Sequence, residues 1–357
     1  MVPLQDLLAL AGKGEDIELD GESYDPVALL TLFVRRSMAL MNFIAPVEKV
    51  DAIMFTVEEP DDRMVEILSQ VSANMGLRTS HIYFQSHTES FYAFVLHQPA
   101  ELWYHQVIAC EHDGLRLKIY RMECNKRTTP VVVLIEEQMY ETLVIPGEDE
   151  EETLRQDAYQ LADERFLGIL QSMCEGRMVS SVYLLGDGFR AGWQERSLKF
   201  LCHNRRVFQG NNLFSRGACY GLLEKLEPSE EGKSHVFLGK DMLKANIGMH
   251  VMRQGKESYY ALLDAGGNWY EQYKECDLLL TKEKQLQFVV TPLNGKNAET
   301  KVIPLTDGGT DGAPFTRYHM EMKLAAPDKV LVKVTDLGFG EFFAPGGRVW
   351  EESFQIG

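Results

Sequence analysis

Apolar and polar positions along the chain fall into three successive rhythms. Up to residue 105 helical spacing predominates: Leu4, Leu7, Leu8 and Leu10 mark a short helix ending at Gly12-Lys-Gly14, and Asp25-Pro26 opens a second, with Ala28, Leu29, Leu32, Phe33 and Met41 on one side as far as Ile44. Val50 to Val57 reads as a strand, Pro60 to Met75 as a helix stopped by Gly76, His81 to Phe84 as a strand and Thr88 to Gln98 as a helix. Strands separated by helices predict parallel pairing with right-handed crossovers. From Gln106 the period drops to two. Val107 to Cys110, Leu115 to Met122 and Pro130 to Ile135 are joined only by His112-Asp113-Gly114 and Asn125-Lys-Arg-Thr128, links so short that the strands must be antiparallel neighbours.

A long helix from about Glu151 to Met173 leads to the apolar strand Val182 to Leu185, the turn Gly186-Asp187-Gly188, a helix carrying Trp193, Leu198, Phe200 and Leu201, and another opening near Phe214. A buried strand feeding a glycine turn into a helix can hold an anion on free backbone N–H groups and the helix dipole; glycine also occurs there simply to permit the tight backbone. Beyond the polar stretch Glu227 to Lys233, six short strands (Ala245 to Met252, Ser258 to Leu263, Gln287 to Thr291, Thr300 to Leu305, Tyr318 to Leu324, Lys329 to Asp336) predict a β-sandwich.

Size and charge narrow the classes. A chain of 357 residues exceeds one hydrophobic core. A net charge of -17 argues against nucleic acid or an anionic membrane as the main partner. The acidic run Gly147 to Glu152 reads as a solvated loop. Six cysteines without a Cys-x-x-Cys pair suit reduced thiols in a cytoplasmic protein, and Cys202-His203 lacks the second pair a zinc site needs. Neither a signal peptide nor a membrane-spanning apolar run is visible.

The run from Val182 through Gly186-Asp187-Gly188-Phe189-Arg190 to Gly217-Ala218-Cys219-Tyr220-Gly221 resembles the last αβα of the actin-like ATPase superfamily, nearest to the seventy-kilodalton heat-shock chaperones. The resemblance implies actin-like, ribonuclease H-like α/β lobes: an incomplete first lobe (1–105), a complete second lobe (106–225), a linker (226–235) and a β-sandwich (236–357) like a chaperone substrate-binding domain. Gly21 to Pro26, Ala52 to Val57, Gly76-Leu77 and Thr88 to Ala93 resemble the chaperone first lobe, whose opening three-strand meander has no counterpart here. Asn246 to Met249, Gly266 to Trp269 and Val330 to Thr335 resemble segments of its β-domain.

By the same resemblance Gly186, Gly188 and Arg190 fall where the family contacts adenosine, with Asp187 placing a carboxylate beside that position. The family's phosphate loop falls on Cys110 to Leu115, so that His112, Asp113 and Gly114 make a vestigial site, with Cys110 where the family has its metal-linked aspartate. Ser86, followed by His87, stands where a glutamate orients the attacking water. Glu111, His112 and Asp113 could instead form an acid-base group; a polar hairpin turn is the plainer reading.

Two functions are expected. One is a chaperone-like interaction protein with a vestigial nucleotide lobe, no cofactor, and a β-sandwich that binds a protein or peptide. The other is an ATPase whose phosphate-binding segment is missing from the chain, to which ATP and magnesium would bind only once that segment is restored. The two-strand first lobe leaves a sheet edge that a partner chain, a second copy or an N-terminal segment is expected to cover. The aromatic segment Leu337 to Phe343 is expected to cap the core with Trp350, or else to line a peptide groove.

Overall fold

A computed structural model describes the chain except residues 1–3, 20, 45–49, 77–80, 142, 147–151, 281–284, 294–296, 306–315, 341–343 and 357. It forms two compact units, residues 1–237 and 238–357. The acidic run 147–151, Leu77 and residues 341–343 lie outside the described residues.

The first unit begins with α1 (Leu4–Lys13), the hairpin β1 (Ile17–Leu19) and β2 (Glu22–Tyr24), and α2 (Pro26–Ala39). The Asp25 carboxylate caps α2 by accepting the Val27 N–H at 3.0 Å, with Pro26 in the first turn where its missing N–H costs nothing. Next come β3 (Ile53–Val57), α3 (Asp62–Met75), β4 (Ile82–Ser86) and α4 (His87–Leu96). Asp61 caps α3, and Gly76 ends it in the left-handed region at φ 67°. β3 and β4 pair in parallel, Ile53 opposite Ile82.

The second half of this unit runs β5 (Gln106–His112), β6 (Leu117–Asn125), β7 (Val131–Tyr140), α5 (Glu152–Cys174), β8 (Val179–Leu185), α6 (Glu195–Leu201), β9 (Arg206–Gln209), α7 (Leu213–Leu226), α8 (Glu230–Ser234) and β10 (His235–Phe237). Its sheet has the order β10-β7-β6-β5-β8-β9. β5, β6 and β7 form the expected antiparallel meander, and β8 lies parallel beside β5, Ile108 opposite Val182 and Glu111 opposite Leu185. Residues 226–235, expected as a linker, fold instead: Ser229 caps α8, and β10 adds in parallel to β7. Polar composition hid this, because the pairing partner lies about a hundred residues upstream.

Alternation along the strands gives each sheet face its own helices. Ile108, Cys110, Leu117, Ile119, Val182 and Leu184 pack with Phe166 and Leu170 of α5 and Leu201 of α6. The alternate positions meet α4 and α7: Tyr120 lies 6.2 Å from Phe91, and Tyr183 meets Phe94 edge-on at 5.4 Å. α4 and α7 cross so closely that a Cβ on Gly217 would collide with the Ser90 carbonyl oxygen.

The second unit holds β11 (Ala245–Arg253), β12 (Lys256–Leu263), β13 (Tyr273–Leu280), β14 (Gln285–Pro292), β15 (Glu299–Pro304), β16 (Thr316–Ala326), β17 (Lys329–Gly338) and β18 (Val349–Gln355). They form two four-stranded antiparallel sheets, β12-β11-β14-β15 and β13-β16-β17-β18. Ile247, Phe288 and Val290 from the first share one buried cluster with Met320, Met322, Val332 and Val334 from the second. β13 and β18 escape the sequence pattern because three successive leucines and a Glu-Glu pair blur their alternation, while pairing to β16 and β17 supplies what propensity lacks. Trp350 packs against this cluster and meets Tyr318 edge-on, whereas Phe339 is exposed.

Candidate functional site

Five strands of the first unit deliver their carboxyl ends to one cleft of about 450 Å³. Glu58 follows β3, His87 follows β4, Glu111 to Asp113 close β5, Leu185 to Asp187 close β8, and Asn211 follows β9; Lys118, Arg116, Met139, Leu213 and Phe214 complete the lining. Open α/β sheets bind ligands in such a position, where side chains beyond the strand ends converge without disturbing the sheet.

The floor is a chain of charged groups on the sheet face that looks toward α4. Lys118 stands opposite Glu111 in the β5–β6 register, and its Nζ donates to Glu137 Oε2 and Glu58 Oε1, both at 2.8 Å. Burial works against the Lys118 ammonium, yet the bonds to Glu137 and Glu58 hold its pKa above the ordinary lysine value. The Lys118 hydrogen bond pulls the Glu58 carboxyl below the usual range. Glu111 goes the other way: burial pushes its carboxyl up, although the Tyr120 hydroxyl donates to it at 2.9 Å. His87 stacks on Phe214 with ring centres 4.1 Å apart, and burial lowers its pKa to about 4. Its Nδ1 is buried with no hydrogen-bond partner among the described residues.

The two glycine turns close on one imidazole. His112 is fully buried; its Nε2–H donates to the Leu143 carbonyl at 2.8 Å, and Nδ1 accepts the Gly114 N–H at 2.9 Å. A carbonyl only accepts, so the ring is the neutral Nε2–H tautomer, and burial lowers its pKa further. A Cβ on Gly186, at φ 92°, would strike the His112 carbonyl oxygen, and one on Gly188 would strike the His112 ring. Glycine is required at both positions by this contact. The Gly186 N–H donates to Asn211 Oδ1 at 3.1 Å; Asn211 Nδ2 donates to Asp187, which also pairs with Arg190 at 3.0 Å.

Of the residues expected to form a site, His112, Asp113, Gly186 and Asp187 line the cleft. Gly188 packs on the His112 ring, Gly114 donates its N–H to that ring, and Arg190 lies outside the lining, largely exposed. Asp113 accepts the Leu115 and Arg116 N–H groups at 2.8 and 2.7 Å, which makes it the organiser of a hairpin turn rather than a general acid or base. Ser86 is the N-cap of α4, accepting the Glu89 N–H at 3.1 Å. Cys110 points into the core, and the strand's alternation gives the cleft-facing position to Glu111.

Glu58, Lys118, Tyr120, Glu137 and Asn211 were not singled out by the sequence. Lys118 and Glu137 carry one signal, a charge inside strands that otherwise begin apolar; Glu58, Tyr120 and Asn211 carry none. Among the described residues, no group of three or more His, Cys, Asp or Glu is arranged to hold a metal ion, and no helix is long and apolar enough to cross a membrane. Cys202 and Cys219 are exposed, while Cys110 and Cys174 are buried.

Residues 1–240 match the model of a family of unknown function, DUF5716, in the part described as C-terminal. Residues 242–356 match a domain of unknown function, DUF8552. No curated protein matches the chain.

Proposed function

For this chain, which belongs to the DUF5716 family, we propose a chaperone-like interaction protein: an actin-like nucleotide lobe that no longer holds phosphate, joined to a β-sandwich that binds a protein or peptide. The order of β5 to β9 with α5, α6 and α7 supports an actin-like, ribonuclease H-like second lobe: an antiparallel meander, two parallel strands beyond it, and helices on both faces. Two facing antiparallel sheets around one core support the sandwich.

The loss of nucleotide chemistry rests on His112. Phosphoryl transfer in this class is positioning by glycine loops and a divalent cation. Here the Gly114 N–H is spent on the His112 ring, Gly188 packs against that ring, and the Gly186 N–H of the second turn is taken by Asn211. Glu58, Glu111, Asp113 and Asp187 outnumber Lys118 and Arg116 around the cleft, and both cations already pair with carboxylates. These residues do not fit a triphosphate.

The first half carries the exposed apolar surface. α2 exposes Leu32 and Phe33, and Leu40, Met41, Phe43 and Ile44 continue the apolar stripe; Phe43 and Ile44 are 89% and 92% exposed. Single exposed apolar residues are ordinary, but six within residues 32–44 mark a surface that a partner covers.

Calorimetric titration of the whole chain with ATP and magnesium tests the reading. No saturable heat is expected up to millimolar ATP, and tight binding would overturn it. The second reading, an ATPase completed by a segment outside this chain, is favoured by one internal comparison. α2-β3-α3-β4-α4 repeats the order α5-β8-α6-β9-α7, yet among the described residues no meander pairs with β3 as β5 pairs with β8. That reading requires ATP to bind once a strand followed by Asp-x-Gly is supplied upstream.

A further inference from the structure

The two sides of α2 are spent differently. Leu30, Thr31, Val34 and Met38 recur at three- and four-residue spacing and face inward, the first two buried and the others half-buried. The Thr31 hydroxyl donates to the Val27 carbonyl at 2.7 Å, and the Arg35 guanidinium donates to the Asn74 carbonyl in the last turn of α3, also at 2.7 Å. Those contacts hold the helix in place. The opposite side carries Leu32, Phe33 and Arg36, and the 3-10 turn Leu40–Phe43 extends it with Leu40, Phe43 and then Ile44, all of them exposed. Between Pro26 and Ile44 the only charged residues are Arg35 and Arg36, in a chain whose net charge is -17. Arg36 lies in the middle of the apolar side, four residues from Leu32 and four from Leu40, and its guanidinium has no hydrogen-bond or ion-pair partner among the described residues.

Each feature narrows what lies against this side. The backbone of a helix bonds to itself, so α2 offers only side chains, in a straight stripe whose three- and four-residue ridges fit those of another helix. A second copy is a poor fit, because a two-fold pairing centred on the stripe sets Arg36 against its own counterpart. A lipid surface is a poor fit as well: an interfacial helix keeps its cations on the polar side, whereas Arg36 would enter the acyl region, and the charge of the chain opposes an anionic leaflet. A carboxylate on an incoming helix answers the arginine. At physiological salt a screening length of about 8 Å keeps remoter acidic groups of the chain from opposing that approach. On the premise that a partner covers this stripe, we infer that the outer side of α2 docks an amphipathic helix of a partner protein, apolar along Leu32, Phe33, Leu40 and Phe43 and bearing a carboxylate that pairs with Arg36.

Fluorescence anisotropy of the full chain with two labelled amphipathic peptides of about four helical turns tests it. One peptide carries a single Glu in the centre of a leucine face, the other a Lys at the same place. The Glu peptide is expected to bind about ten-fold more tightly than the Lys peptide, a difference that a close charge pair at an interface supports. Arg36→Glu should reverse the order and Arg36→Gln should remove the difference; both changes lie on the exposed side and should leave the circular-dichroism melting curve in place. Phe33→Asp should weaken both peptides about ten-fold or more by removing an apolar anchor. Equal binding of the two peptides, lost in Phe33→Asp, would overturn the carboxylate-bearing helix and leave the partner-covered surface standing. Binding of neither peptide overturns the helix too, and binding that ignores Phe33→Asp removes the surface with it. A dimer in sedimentation that Phe33→Asp splits, or flotation of the wild type with phosphatidylserine vesicles, assigns the stripe to a second copy or to lipid and overturns the helix partner.

Discussion

His87 contributes strongly to how the protein responds to acid. It is buried against Phe214, and burial lowers its pKa to about 4 from an ordinary value of 6.5. Between those values the unfolded chain binds a proton that the folded chain refuses, so stability present above pH 6.5 is lost as pH falls toward 4. The full loss is on the order of 3 kcal/mol. His87→Phe keeps the stacking and removes the titration; urea midpoints followed from pH 7 to 4 should fall less steeply in the variant than in the wild type. Two carboxylates bend the same curve with opposite signs. Glu58, depressed by Lys118, contributes stability above the ordinary carboxylate range that disappears as pH falls through its lower folded value. Glu111, raised by burial, contributes at low pH and loses that contribution as pH rises through its folded value.

At the scale of elements, two glycines in long helices make opposite predictions from the same substitution. Gly168 lies on the exposed face of α5 with open space around the place a Cβ would take, so Gly168→Ala should stabilise by about 0.5–1 kcal/mol through helix propensity alone. Gly217 lies where α7 crosses α4, against the Ser90 backbone, and there the propensity gain is outweighed by forcing two packed helices apart. Gly217→Ala should destabilise by about 1–3 kcal/mol, read from the denaturation midpoint at unchanged slope. These elements were largely legible from the chain. Asp25-Pro26 and Gly76 mark helix ends by capping chemistry, and the short link at His112-Asp113-Gly114 forces β5 and β6 to be antiparallel. β10 and β18 were not, because a short or irregular strand takes its identity from the strand beside it.

Among the described residues, two of the buried clusters share no residue and lie one in each unit. One is built on β5, β8 and α5 in the first unit, the other on the two sheets of the second. Scanning calorimetry of the intact chain should resolve two transitions. Phe288→Ala, a fully buried side chain of β14, should cost about 3–5 kcal/mol in one of them and leave the other in place. A shift of both together would show that the units unfold as one.

Hydrophobic period, turn residues and caps are local properties, and by themselves they determined the meander, the α-β-α-β-α order, the glycine turn and the strand-rich C-terminal unit. The site was decided elsewhere. Glu58, Lys118 and Glu137 are joined only because β3, β6 and β7 bring them together, and no local pattern encodes a contact across sixty residues. Alternation states that Cys110 and Glu111 face opposite ways, but the helices on each side of the sheet decide which of them meets the core and which meets the cleft. Glycine at 186 and 188 is visible in the chain; that His112 is what those glycines accommodate follows from tertiary packing alone.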